Sequence, residues 1–308
     1  MNEQKTYSPV RAFHPGITLR EKIGELGMSI KEFSVRSSKP EKTINAVLNG
    51  SSSITPDMAV AFEQVTRIPA HMWLNLQSVY DIYKAREKKA ESFQDPATMA
   101  WAECFPYEIM VTLQWVPDTM GSAEKVENLF SFFGLTSVKA WEDLYLHQEL
   151  KVSFSISLRE ANNPYALSSW LRRGEILAQQ MEMQAPYDIN VLKDVIPEML
   201  VLSRESQCDC IYPLRLLCAK AGIRLVVVPH IPNAPVNGCV RWIGEAPCIL
   251  LTDNVKESEK FWYYFFHELG HIVLHGKKDI FLEDETMHND PLKESEADRF
   301  AEGILLSV

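Results

Sequence analysis

The sequence predicts a mainly α-helical protein with a helical bundle at the N-terminal end and a small α+β domain at the C-terminal end. Three observations predict this. Short capped helices punctuate the first ninety residues, and residues 95–205 are helix-rich with few β-branched runs. Three short β-type runs between residues 223 and 252 then lead into a strongly patterned helix. The expected divisions are 1–90, 91–205 as a helical linker or support, and 206–308.

The chain of 308 residues, 46% hydrophobic, is long enough for two or three cores. Its N-terminus, MNEQKTYSPVR, lacks the apolar stretch of a signal peptide. No run of about 18 apolar residues suggests a membrane span. The six cysteines (104, 208, 210, 218, 239 and 248) form no regular framework and read as reduced thiols, which implies a cytoplasmic protein. Cys208-x-Cys210 with Cys218 has no CxxC spacing, so small apolar filler is the simpler reading. The net charge of −10 is uneven: residues 1–90 carry 13 Lys+Arg against 9 Asp+Glu, and the remainder carries 18 against 32. A mildly basic head on an acidic body implies different partners for the two ends.

Within the head, Ser29-Ile-Lys-Glu32 fits a capping box. Pro40 suits a first helical position, and Asn49-Gly50 stops the helix from Pro40 to Leu48, which buries Ile44, Val47 and Leu48. Thr55-Pro56-Asp57 opens another helix, with Met58, Val60 and Phe62 as its apolar residues. Two short helices joined by a tight turn make a helix-turn-helix candidate. The stretch HPGITLREKIGELGMSIKEF…KTINAVLNGSSSITPDMAVAFEQV…HMWLNLQSVYD, residues 14–83, resembles the XRE-type helix-turn-helix of HigA-like antitoxins. That resemblance implies a recognition helix over 40–48 that offers Lys42, Thr43 and Asn45 to the major groove of operator DNA. It also implies that Lys39, Ser51 and Ser52 lie near phosphates. Glu41 and Ala46 depart from the basic or polar residues frequent in relatives, and a carboxylate facing phosphate is repulsive. The competing reading is a helical dimerisation module that does not bind DNA; a homodimer fits either.

In the middle, Lys84-Ala-Arg-Glu-Lys-Lys89 reads as the solvated end of a helix or a linker. Leu129–Phe133 followed by Gly134 is an apolar helix and its stop, and Trp141, Trp170 and Leu171 are core residues.

Strands are expected at Ile223–Val228, Gly238–Ile243 and Cys248–Thr252. Gly238–Trp242 is the expected edge strand, with Arg241 as a substrate contact; an ordinary hairpin explains it equally well. Residues 254–275 then read as one helix. At about 100° per residue, His271 lies roughly 40° from His267, His275 about 80° and Glu268 about 100°. Ile272, Phe265, Leu269, Trp262, Val273 and Phe266 fall on the opposite arc, between roughly 140° and 260°. One face is core and the other a polar strip carrying HExxH. Histidines at i and i+4 stand one above the other and can share one zinc ion, with Glu268 beside it as general base.

A catalytic zinc ordinarily takes three protein ligands. On the last helix, LysGluSerGluAlaAspArgPhe (293–300), Glu294 and Asp298 share a face and Glu296 points away. Glu294 is therefore the expected third ligand, Asp298 an acceptor that orients a ligand histidine, and Glu296 solvent-facing. His275 is a second support of this kind, a substrate contact, or plainly structural. His288 is expected to be exposed, and His14, His71, His147 and His230 to be structural.

With these residues in place, HELGHIVLHGKKDIFLEDE…ESEADRFAEGILL, extended back to about residue 214 by LCAKAGIRLVVVP…VNGCVRWI, resembles the ImmA/IrrE-type metallo-endopeptidases. The resemblance implies a zincin-like, gluzincin-like fold, zinc on His267, His271 and Glu294, and Glu268 as the base. It also implies a helix-turn-helix repressor, or a second copy of this chain, as protein substrate. Relatives continue beyond the final leucine pair, whereas this sequence ends at Val308; a shortened C-terminus and a missing last core element are both open. The alternative function is a HigA-like repressor or antitoxin whose zincin-like part senses a metal or ligand without proteolysis.

Overall fold

The computed structural model describes residues 12–147, 163–183, 185–204, 210–234, 236–253, 258–276 and 291–306. The chain forms two compact units, Met1–Asp95 and Pro96–Val308.

The first unit holds α1 (Pro15–Glu25), α2 (Ile30–Ser37), α3 (Glu41–Leu48), α4 (Pro56–Thr66) and α5 (Ala70–Ser92). Each starts where the local chemistry dictates. Ser29 Oγ accepts from the Glu32 N–H at 3.1 Å, and Thr55 Oγ1 accepts from the Met58 N–H at 3.3 Å. The expected capping box is only half present, because the Glu32 carboxylate is drawn 2.7 Å from Arg36 one turn on. Ser38, at φ 52°, turns the chain out of α2, and Pro40 opens α3. The core is built on Leu19, Phe33, Ile44, Val47, Phe62 and Trp73. Val60 lies outside it at 54% exposure, since Met58 and Phe62, four apart, take the inward face of α4. The lysine-rich stretch 84–89 is the exposed end of α5.

The second unit begins with α6 (Pro96–Glu103), α7 (Tyr107–Thr112), α8 (Ser122–Phe133) and α9 (Val138–Trp141), which runs on as a π-helical turn over Glu142–Leu146. Aromatic packing holds them together: Trp101 stacks on Phe130 at 5.1 Å, and Trp141 on Tyr165 at 4.9 Å. Next come α10 (Pro164–Gln179), α11 (Ile189–Arg204) and α12 (Ile211–Lys220), with Trp141, Trp170 and Leu171 fully buried. The strands are β1 (Arg224–Val228), β2 (Gly238–Ile243) and β3 (Ala246–Thr252). Their order is β1-β3-β2, with β1 parallel and β2 antiparallel to β3, so β2 lies at an edge. One sheet face, carrying Leu225, Val240, Ile249 and Leu251, packs into the core with Phe265, Phe266 and Leu269. The other face meets α10, so the helices expected as a separate support segment lie in the same unit as the sheet.

The HExxH helix, α13 (Ser258–Gly270), passes into a π-helical turn over His271–His275, and α14 (Pro291–Leu306) packs along it. The expected start of this helix at residue 254 and His288 both lie outside the described residues, as does Cys208. Among the described residues, Cys104, Cys218, Cys239 and Cys248 are free thiols. No helix among the described residues is long and apolar enough to cross a membrane.

Candidate metal centre and candidate nucleic-acid face

The helical period of α13 sends Phe261, Trp262, Phe265, Phe266, Leu269 and Ile272 into the core. The opposite strip, carrying His267, Glu268 and His271, is also covered, because α14 lies against it. Gly270 permits this: a side chain there would come within 3.1 Å of Phe300 and 3.2 Å of the Ala297 backbone. Close approach at that crossing brings the carboxylates of α14 over the histidines of α13.

The three expected ligands meet. His267 Nε2 and His271 Nε2 are 3.2 Å apart, and Glu294 reaches 3.3 Å from the first and 3.6 Å from the second. These atoms form the metal-competent group found among the described residues. Donors about 2.0–2.1 Å from a tetrahedral zinc stand about 3.4 Å from one another, so the spacing and the N/N/O donor set fit that ion. Burial pushes the His271 pKa down to about 4, leaving it neutral and able to donate a lone pair. Burial opposes charge on His267 as well, but the Glu294 hydrogen bond and the nearby carboxylates outweigh it and raise its pKa. Glu294 is affected by burial too, yet His267 and His271 hold it below its ordinary value.

Both ligand histidines are oriented from behind. His267 Nδ1 lies 2.9 Å from Asp298 Oδ1, which accepts a second hydrogen bond from Tyr263 Oη at 2.7 Å. His271 Nδ1 lies 3.1 Å from His275 Nδ1, whose Nε2 is 3.1 Å from Glu296. A carboxylate only accepts, so His275 Nε2 carries the proton and donates to Glu296. His275 Nδ1 is then the acceptor and His271 Nδ1 the donor. In the neutral rings, both chains of bonds place the proton on Nδ1 and leave Nε2 of each histidine open toward the other two candidate ligands.

This corrects the reading of Glu296, which pairs with His275 while half exposed rather than facing only solvent. The cause is the π-helical turn, which carries His275 out of the register of a uniform α-helix. Tyr263 was missed; its position four residues before His267, on the same helix face, was the available signal.

Glu268 is buried, and its side chain lies over Gly238 at the start of the edge strand, where a Cβ would come within 2.9 Å of its Oε1. Burial pushes its pKa up to about 8, with His267 opposing and Glu294 adding to the rise. Arg241 is not presented to a substrate as expected. Its Nη1 is 3.1 Å from Glu175 of α10, which also holds Arg172 at 2.8 Å, and Arg241 and Glu175 side chains are each 13% exposed. The odd positions of β2 at this point face α10, and a buried guanidinium takes the carboxylate it finds there.

In the first unit, Lys42 is exposed on α3 and Thr43 and Asn45 are partly so, while Ile44, Val47 and Leu48 face the core. Lys39 is tied to Asp57, and Ser51 Oγ donates to the Ala46 carbonyl at 3.1 Å. Ser52 is half-buried. Those three are therefore less available to phosphate than α3 itself. His14 is structural, its Nδ1 accepting from the Gly16 N–H at the start of α1.

Across 73 residues, 24% of this chain, the sequence is 32% identical to the uncharacterized HTH-type transcriptional regulator YddM of Escherichia coli (strain K12), 78% of which is covered. The chain belongs to the HTH-type transcriptional regulators. It carries more than that regulator does, since residues 220–307 match the IrrE N-terminal-like domain of Peptidase_M78. This regulator thus joins an N-terminal part similar to an HTH-type regulator to a C-terminal part similar to the IrrE N-terminal-like domain. Solved structures similar to it include a HigA-family addiction module antidote protein from Coxiella burnetii. The two are 34% identical over 28% of this chain and 96% of that one, with a TM-score of 0.26. Another is Pseudomonas aeruginosa antitoxin HigA with the higBA promoter, 26% identical over 28% of this chain and 95% of that one, with a TM-score of 0.26.

Proposed function

We propose that this regulator is a zinc-dependent endopeptidase coupled to a DNA-binding unit, and that it cleaves a specific regulatory protein to control transcription. The observation that carries the reading is the meeting of His267, His271 and Glu294 within 3.2–3.6 Å, next to the buried Glu268. Bound zinc would supply Lewis acidity, polarising a carbonyl and making water nucleophilic near neutral pH. Asp298 and His275 keep the histidines in the tautomer that leaves Nε2 free for the ion. Glu268, with a pKa near neutrality, takes a proton from water and returns it to the leaving amine. β2, the edge strand among the described residues, is suited to pair with an extended peptide by backbone hydrogen bonds. Lys42, Thr43 and Asn45 on α3 would read operator DNA, as the HTH-type relative's name suggests. Joining the two activities raises the concentration of the peptidase where a repressor sits. The substrate is a helix-turn-helix repressor or a second copy of this chain.

The test incubates zinc-loaded wild type and Glu268→Gln with candidate repressors and with the protein alone. Cleavage by wild type only is the expected result; equal cleavage by both rejects the peptidase. A second reading, a repressor whose metal site is only a sensor, draws on the burial of Glu268 at 6% exposure. Gel shifts on the gene's upstream DNA with and without chelator separate the two, because metal-dependent DNA binding without proteolysis selects the sensor.

A further inference from the structure

Three residues lie in one row across the sheet face that meets α10. Arg224 of β1 pairs in register with Cys248 of β3, and Cys248 with Arg241 of β2. Two arginines thus flank one thiol on the same buried face, one strand to each side. Their surroundings differ. The Arg241 guanidinium is answered by Glu175 at 3.1 Å. The Nε and Nη1 atoms of Arg224 are buried and have no hydrogen-bond partner, and Arg224 has no ion pair among the described residues.

Leaving a guanidinium's donors unmet away from water is costly, and proteins ordinarily place a carboxylate, carbonyl or ligand there. Arg224 also lines a cleft of about 360 Å³, within the range of small-molecule sites. Its other walls include Met183, Pro186, Tyr187 and Ile243, with Glu245 at the two-residue turn between β2 and β3. The cleft therefore combines an apolar lining, one unanswered cation and a single acidic group.

It is separate from the metal centre. Glu268 lies over Gly238 at one end of β2, whereas the cleft sits at Ile243 at the other, about 17 Å away at the ordinary rise of a strand. Arg224 itself stands across strand β3 from the Arg241–Glu175 pair.

We propose that this cleft binds a small organic anion, a carboxylate or a phosphate ester, with the Arg224 guanidinium as its counter-charge. A planar fork of N–H donors matches either oxyanion, and the apolar walls take the organic body. A regulator with such a site has a place for a metabolite independent of its metal.

The experiment is isothermal titration of the full chain at low ionic strength with four probes: propionate, benzoate, methyl phosphate and phenyl phosphate. Saturable one-to-one binding of at least one probe is expected, and the responding pair identifies carboxylate or phosphate as the preferred group. Arg224→Met weakens that binding by about tenfold or more. Ala246→Trp, which fills the cleft and keeps the guanidinium, weakens it as well, and Glu268→Gln leaves it unchanged. Should Arg224→Met fail to fold, Ala246→Trp decides alone. Absence of saturable binding by any probe up to roughly 10 mM overturns the proposal. Equal binding by wild type and the two cleft variants overturns it too.

Discussion

Nδ1 of His271 lies 3.1 Å from Nδ1 of His275, so one metal-facing histidine is held by another. The second is held in turn by Glu296 at 3.1 Å. His275→Ala removes the acceptor that keeps the His271 proton on Nδ1. Zinc affinity is expected to fall by about 10–100-fold, measured by competition with a chromophoric chelator. Glu296→Gln, half exposed, should act in the same direction and less. Unchanged affinity in His275→Ala would show that the ligand ring is oriented by packing alone.

Glu268 sets a pH dependence on the metal-free protein. Its folded pKa of about 8 stands above the ordinary 4.5 because the carboxyl is buried. The folded state therefore keeps a proton that the unfolded chain releases. Stability falls as pH rises from about 4.5 to about 8 and is level above that. Glu268→Gln, which cannot ionise, should be more stable than wild type at pH 9 by up to a few kcal/mol and nearly equal at pH 5. Calorimetry after chelation checks this, and no difference at pH 9 would mean that the carboxylate is solvated.

Glu175 answers both Arg172 and Arg241 inside the second unit. Glu175→Ala strands two guanidinium groups and should destabilise that unit by about 3 kcal/mol in urea unfolding. Adding Arg241→Met should restore part of the loss, since an apolar side chain tolerates that site better than an unpaired cation. If the double variant is no better than the single one, Arg241 already finds water.

On α3 the exposed Lys42 should contact phosphate or a base edge, while Lys39 is held by Asp57. Lys42→Ala should weaken binding to the upstream DNA and lower the salt-dependence slope by about one. Lys39→Ala should do less. Fluorescence anisotropy across a salt series measures both, and equal slopes in all three proteins would remove α3 from the interface.

Much of the candidate metal centre was legible because its signal is local. Two histidines four apart share a helix face whatever else the chain does, and so do Glu294 and Asp298. The aromatic residues on the far side of α13 named the buried face by the same rule. The strands were equally readable, with β3 starting at Ala246 instead of Cys248. Legibility ended where a side chain's partner comes from another element. Arg241 read as an exposed contact on an edge strand, and only the packing of α10 shows that it turns inward to Glu175. Val60 failed for a smaller reason: apolar character does not say which face of α4 is covered.

By itself, the sequence determined that a capped helical bundle precedes one helix able to offer two imidazoles, and a later helix able to offer a carboxylate, to one ion. It did so because periodicity and capping depend on residues within a turn or two of each other. The tertiary structure decided the rest: Tyr263 on Asp298, Glu296 on His275, and the unanswered Arg224 beside a cleft. Those pairings depend on how helices cross, on a π-helical turn that shifts one register, and on which strand lies beside which. None of these is encoded in a single repeat along the chain.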